Sequence, residues 1–173
     1  MMSNMRHLTP AHEAKTLAGC SPCFREITPA DRDQILGLFL SLSPHARYSR
    51  FLMPATDDYI TRYVAGFDFN QMVGVGLFSQ DRLLALGELY LGKGEPGEDP
   101  LEGEIALTVR DNFFRNGVGS MLARFLKIKA QSLGLRRVHV SCMPTNTPMR
   151  RIARSVGMFE KSFVSEVTAS ASL

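Results

Sequence analysis

No run of about 18 consecutive apolar residues occurs in the chain, so no segment reads as a membrane-crossing helix. The N-terminus also lacks the apolar stretch of a secretion signal, and a cytoplasmic location is the expectation. Cysteine is scarce: three in 173 residues, an odd number that argues against a disulfide framework in a chain without a secretion signal. Cys20 and Cys23 have the spacing of a metal knuckle, and His7 and His12 lie upstream, but no second cysteine pair follows. Cys142 stands alone in an apolar run, so a closed four-ligand zinc site is not expected. Charge is nearly balanced at +3, which excludes a strongly polyelectrolyte surface. Arg115, Arg124, Lys127, Lys129, Arg136 and Arg137 nonetheless crowd one stretch, suiting either a polyanion or plain water. Basic and aromatic residues do not interleave as they do where bases stack, so neither nucleic acid nor a membrane is expected as a partner.

What is present is ordinary for one globular domain: 45% apolar and 21% charged residues. Residues 1–22 show no sustained apolar period and read as a tail or lightly docked extension, with one domain over 23–173. Phe24-Arg25-Glu26-Ile27 alternates like a strand, and Thr28-Pro29-Ala30-Asp31 offers an N-cap, a first-turn proline and an acid. A helix with Ile35, Leu36, Leu38, Phe39 and Leu42 as its stripe follows; Ser43-Pro44 opens a second, and Thr56-Asp57-Asp58 a third. The period then changes: Met72 to Phe78 and Leu83 to Leu91 predict a hairpin, residues 92–100 a loop, and Glu104 to Val109 a central strand. Met121 to Leu133 reads as a helix that Gly134 ends, Val138 to Cys142 as a strand, Thr147 to Val156 as a helix, and Phe159 to Val167 as a closing strand. Helices, a meander, then β-α-β-α-β predict an α/β fold: a mixed sheet with helices on both faces.

The sharpest chemical signal is a strand, Glu104 to Val109, passing through Arg110-Asp111-Asn112-Phe113 into Phe114-Arg115-Asn116-Gly117-Val118-Gly119-Ser120 and a long helix. A helix start leaves N–H groups unpaired at the positive end of the dipole, and glycines there let an anion approach the backbone. A P-loop would need Gly-Lys-Ser/Thr, and a dinucleotide fingerprint a third glycine at Leu122 and an acid near Cys142; both patterns fail. Close packing at a helix entrance is the alternative explanation of the two glycines.

These residues resemble the GNAT N-acetyltransferase superfamily, whose signature is Arg/Gln-x-x-Gly-x-Gly/Ala at the helix after the central strand. Gly117-Val118-Gly119 matches the glycines, and Asp111-Asn112-Phe113 is similar to the preceding turn. Asn146-Thr147-Pro148-Met149, followed by Ser155-Val156-Gly157-Met158-Phe159, resembles the family's second coenzyme-side segment. Ser43-Pro44-His45-Ala46-Arg47-Tyr48-Ser49-Arg50-Phe51 resembles a segment in GNAT domains of bacterial protein-lysine acetyltransferases. The resemblance spans Phe24 to about Val167 and departs at Phe114, where the family carries Arg or Gln, and at Ala153, where many members carry a Tyr that protonates the leaving thiolate.

The resemblance implies an antiparallel meander joined to parallel, splayed strands, with acetyl-CoA as cofactor. The backbone of Leu107, Thr108 and Val109 would pair with the pantetheine arm. Arg115, Asn116, Gly117, Val118, Gly119 and Ser120 would hold the pyrophosphate, with Asn146 beside the pantetheine. Acyl transfer to an amine needs a base, an oxyanion donor and a proton for the thiolate. Glu104 and Glu88 are the candidate bases, each alternatively a solvated or ion-paired strand carboxylate, and the Val109 N–H is the implied oxyanion donor. Without the Tyr, the acid role falls to solvent, substrate, Ser155 or Cys142. The implied partner is a primary amine, a protein lysine or a small molecule, with a homodimer left open. An acyl-CoA sensor without turnover is the alternative motivated by Phe114 and Ala153.

Overall fold

Polar caps set the starts of the first helices. Thr28 N–H donates to the Asp31 carboxylate at 2.8 Å in a 3-10 turn, Pro29–Asp31, that leads into α1, Arg32–Leu40. Ser43 Oγ accepts from Ala46 N to open α2, Pro44–Phe51, and Thr56 Oγ1 accepts from Tyr59 N to open α3, Asp57–Ala65. The computed structural model describes residues 22–92, 102–163 and 165–173. The expected N-terminal extension therefore lies outside the described residues apart from Pro22, and so do residues 93–100 of the expected loop.

The strands are β1 Cys23–Glu26, β2 Met72–Ser79, β3 Arg82–Leu91, β4 Glu102–Val109, β5 Arg137–Cys142, β6 Phe159–Ser162 and β7 Val167–Ser172. The long helices after the meander are α4, Val118–Ser132, and α5, Thr147–Ser155. All seven strands join one sheet in the order β1-β2-β3-β4-β5-β7-β6. Gln80 and Asp81 carry the β2–β3 turn at φ of 50° and 57°, a left-handed pair that tightens the hairpin. β4 and β5 are parallel, and every other pairing is antiparallel.

The predicted strand over Phe159 to Val167 is replaced by a hairpin. Phe163 N–H donates to Glu166 O at 2.8 Å across the turn, and β7 inserts between β6 and β5. Its sequence, Val-Thr-Ala-Ser-Ala-Ser, buries Val167, Ala169 and Ala171 and turns the polar residues outward. Side chains this small carry little apolar contrast, which hides the alternation from a hydrophobicity reading.

Two apolar layers flank the sheet. Leu122, Leu126 and Ala130 of α4 pack with Leu89, Ile105, Val138 and Val140 on one face. Ile35, Leu38 and Phe39 of α1 and Ile60 and Val64 of α3 pack with Leu83 and Leu86 on the other. Among the described residues no helix is long and apolar enough to cross a membrane.

Candidate active site

The two parallel strands at the centre part company. β4 and β5 pair only at Glu102 with Arg137, Gly103 with Val138 and Glu104 with His139. β4 then continues to Val109 and β5 to Cys142 without pairing to one another. Arg110 N–H donates to Leu84 O and Gly92 N–H to Glu102 O. By the two-residue alternation of an antiparallel pair, the peptide groups of Glu104, Ala106 and Thr108 face β3. Those of Ile105, Leu107 and Val109 therefore face the splay. Of the three residues expected to pair with the pantetheine, Leu107 and Val109 present their backbone to it, whereas the Thr108 peptide is committed to β3.

A cavity of about 260 Å3 occupies the splay. Glu104 to Leu107 of β4 and Ser141 and Cys142 of β5 form its floor, Asn146 and Met149 one side, and Arg50, Phe51, Tyr59 and Tyr63 of α2 and α3 its roof. Phe51 stands edge-on to both tyrosines at centroid distances of 5.6 and 5.2 Å, and Tyr59 and Tyr63 stack at 6.3 Å. These rings were not singled out from the sequence; the spacing of Tyr59 and Tyr63, one helical turn apart, is the signal that could have found them.

The two candidate carboxylates occupy different environments. Glu104 is exposed and, among the described residues, is the only carboxylate on the wall of the splay cavity. Glu88 is fully buried, with Arg50 Nη2 at 2.9 Å from its Oε2. Tyr90 Oη donates to Glu88 Oε1 at 2.8 Å, Tyr63 Oη lies 2.5 Å from Tyr90 Oη, and Arg50 Nη2 also donates to Tyr63 Oη at 2.9 Å. Arg50 Nε donates to Thr108 Oγ1 at 3.2 Å. Arg50, Tyr63, Tyr90 and Glu88 thus close a ring of hydrogen bonds that pins α2 and α3 to β3 and β4. Burial opposes the Arg50 charge, but Glu88 outweighs it and the guanidinium pKa rises above its ordinary value. Burial, followed by the Glu88 charge, pushes Tyr63 up to about 12 and raises Tyr90 as well, so both keep their protons at neutral pH. Of the other cations in this segment, His45 is exposed, whereas Arg47 folds back onto Leu40 O, Leu42 O and Asp57.

The glycine turn stands beyond the far end of β4. After a 3-10 turn over Asp111–Phe113 the chain is extended at Phe114, left-handed at Arg115 with φ 65° and left-handed again at Gly117 with φ 74°. Gly117 caps α4 without a side chain, and a Cβ there would meet nothing within 4 Å. At Gly119 a Cβ would sit 2.7 Å from Ile152 Cδ1, the tip of a side chain on α5 that α4 packs against. Phe114 is half exposed, and Arg115 and Asn116 are exposed. Val118 is buried in the core, so only its backbone is available at this turn, and Gly119 and Ser120 are half-buried. None of residues 115–120 lines the splay cavity.

Asn146 does double duty: its Oδ1 accepts from Met149 N at 3.1 Å, capping α5, and it lines the cavity. Ala153, where a Tyr was sought, is buried in the core. Ser155 is exposed, with its hydroxyl on Ile152 O. Cys142 lines the cavity, and burial pushes its thiol pKa up. Cys20 lies outside the described residues, Cys23 is exposed, and no group of three metal-ligating side chains occurs among the described residues. The basic stretch is dispersed: Lys127 bonds Val156 O, Lys129 pairs with Glu26 and Arg137 with Glu102.

The GNAT domain of S. lividans PAT superposes with a TM-score of 0.73 at 23% identity, over 87% of this chain and 89% of that one. An N-acetyltransferase from Staphylococcus aureus gives 0.69 at 14% identity, over 88% and 98%. Ribosomal-protein-alanine N-acetyltransferase from Brucella melitensis gives 0.68 at 13%, over 87% and 99%. At these identities the likeness is one of fold. The acetyltransferase (GNAT) domain family matches residues 23–159, most of the chain, and the protein is therefore a member of the GNAT acetyltransferase family.

Proposed function

We propose that the protein is an N-acetyltransferase that moves an acetyl group from acetyl-CoA to a primary amine, of a protein lysine or a small molecule, by direct attack in a ternary complex. The observation that carries this reading is Glu104, the sole carboxylate among the described residues on a cavity that is walled by aromatic rings and opens where β4 and β5 part. The residues present fit the coenzyme. Leu107 and Val109 offer peptide groups to an extended arm, and the first turn of α4 offers N–H groups and a dipole to a pyrophosphate. Arg115, Asn116 and the backbone at 117–120 supply that grip in place of the family's residue at 114.

When bound, acetyl-CoA supplies a thioester whose carbonyl carbon accepts the amine. Glu104 takes the ammonium proton, directly or through a water, and so frees the attacking lone pair. The Val109 N–H, turned toward the splay, would be the donor for negative charge on the thioester carbonyl oxygen as the amine displaces sulfur. With Ala153 at the position of the family's Tyr, the proton for the thiolate would come from solvent or from the acceptor. Phe51, Tyr59 and Tyr63 suit the alkyl stem of an amine on its way to Glu104. Glu88, already held by Arg50 and Tyr90, serves by fixing α2 and α3 over the sheet.

Calorimetric titration with acetyl-CoA and CoA, followed by thiol release with a panel of amines and lysine peptides, tests the reading. Binding with thiol release supports it. Binding without turnover on any amine would make the chain an acyl-CoA-binding module, and no binding would remove both readings.

A further inference from the structure

A second cavity, of about 430 Å3, lies beyond the C-terminal end of β4, between the end of α1, the β2–β3 turn and the 3-10 turn at Asp111–Phe113. Arg110 is on its wall and only 8% exposed. Its Nε donates to Leu83 O at 3.0 Å, Nη1 to Ser41 Oγ at 2.6 Å and Nη2 to Gly37 O at 3.5 Å, all uncharged acceptors. Arg82 lines the same cavity. Among the described residues neither arginine has a carboxylate within ion-pair distance. Asp111, also on the wall, is exposed and accepts from Ser43 N at 3.2 Å.

A buried cation without a counter-charge is costly, and a guanidinium cannot escape by losing its proton. Burial and the like charge of Arg82 both work against Arg110. The C-terminal carbonyls of α1 offset about half an elementary charge and Asp111 on the same wall offsets one more, so the two guanidiniums still leave this end of the sheet net positive. Ser79 also lies in the cavity wall; its Oγ has no hydrogen-bond partner among the described residues and almost no surface open to the cavity.

We propose that this cavity binds a phosphate-type dianion, at a site separate from the glycine turn at residues 114–120. The two guanidiniums outnumber the single carboxylate of Asp111 on this wall, and Arg82, the unused Arg110 Nη hydrogens and the Asn112 amide supply the donors. Inorganic phosphate and a phosphate ester present the same group to these donors. The proposal does not depend on acyl transfer, because it stands on the charges at this end of the sheet.

The test is calorimetric titration of the full chain with inorganic phosphate at constant ionic strength, with and without saturating CoA, for the parent protein, Arg82→Gln and Ser79→Ala. Arg82 is exposed, so its replacement spares the fold, whereas Arg110 ties down α1 and is left alone. One phosphate should bind per chain with CoA present, and Arg82→Gln should weaken it about tenfold or more while leaving CoA affinity unchanged. Ser79→Ala, which removes a hydroxyl closed off from the cavity, should leave it unchanged. No phosphate binding, or equal binding to the parent and Arg82→Gln, would overturn the site. If CoA displaces the phosphate and Arg82→Gln also loses CoA, the charges serve the coenzyme's own phosphate and there is no second site.

Discussion

Under α2 and α3, Arg50, Tyr63, Tyr90 and Glu88 close a hydrogen-bonded ring in which each member has partners inside the protein. Along the splay and at the start of α4, the peptide groups of Leu107 and Val109 face an open edge, and the helix begins at a glycine with no capping side chain. The difference lies in who completes the hydrogen bonds. A surface that shapes a pocket by packing must be satisfied before any ligand arrives, since a half-paired buried network is worse than none. A surface that recognises a ligand through its backbone must keep those groups unspent.

The largest effect should come from breaking the closed side. Glu88→Ala leaves the Arg50 charge buried without its partner and should cost about 3–5 kcal/mol, lowering the melting temperature by about 10 °C. An unchanged melting curve would mean that the ring is not a structural unit. Glu104→Gln, on the exposed carboxylate, should lower turnover by about 10²–10³-fold at neutral pH and leave stability and CoA affinity unchanged. An unaltered rate would pass the base role to water. Gly117→Asp tests the open side. The space around residue 117 is empty, aspartate tolerates a left-handed backbone, and a carboxylate suits a helix N-cap, so the fold should hold. The same charge set against a pyrophosphate should weaken CoA binding about 100-fold in a titration.

The smallest effect lies outside the cleft. The bidentate Arg25 guanidinium, aided by the Thr28 N–H, holds Asp31 down to about 2 in the folded state. A depressed carboxyl pKa adds stability that is present above the unfolded value near 4 and lost as pH falls toward 2. Arg25 is nearly half exposed, so screening reduces the gain to about 1 kcal/mol. Asp31→Asn should therefore flatten the acid limb of a stability profile between pH 4 and 2; an unchanged limb would assign that loss to other carboxyls.

Local rules decided much of this protein from its residues alone. Ser43 and Thr56 start helices because a short polar side chain can reach an unpaired N–H within one turn, and Asp31 reaches back to the Thr28 N–H in the same way. Gly117 and Gly134 stand where the chain turns left-handed at the two ends of α4. The glycine turn and the second Asn-to-Gly segment were enough to suggest the family, because both are contiguous in sequence. The closing hairpin stayed hidden behind small side chains. What only the tertiary structure decided is whatever depends on residues far apart in the chain. Glu88 and Glu104 look alike in sequence, yet one is enclosed by Arg50 and Tyr63 from other elements while the other stands open in the splay. The glycine turn marks Gly119 in the sequence, and only the fold shows that it also packs beside Ile152 of α5. Solvation and charge pairing are set by what folds against a residue from elsewhere, and no local pattern encodes that.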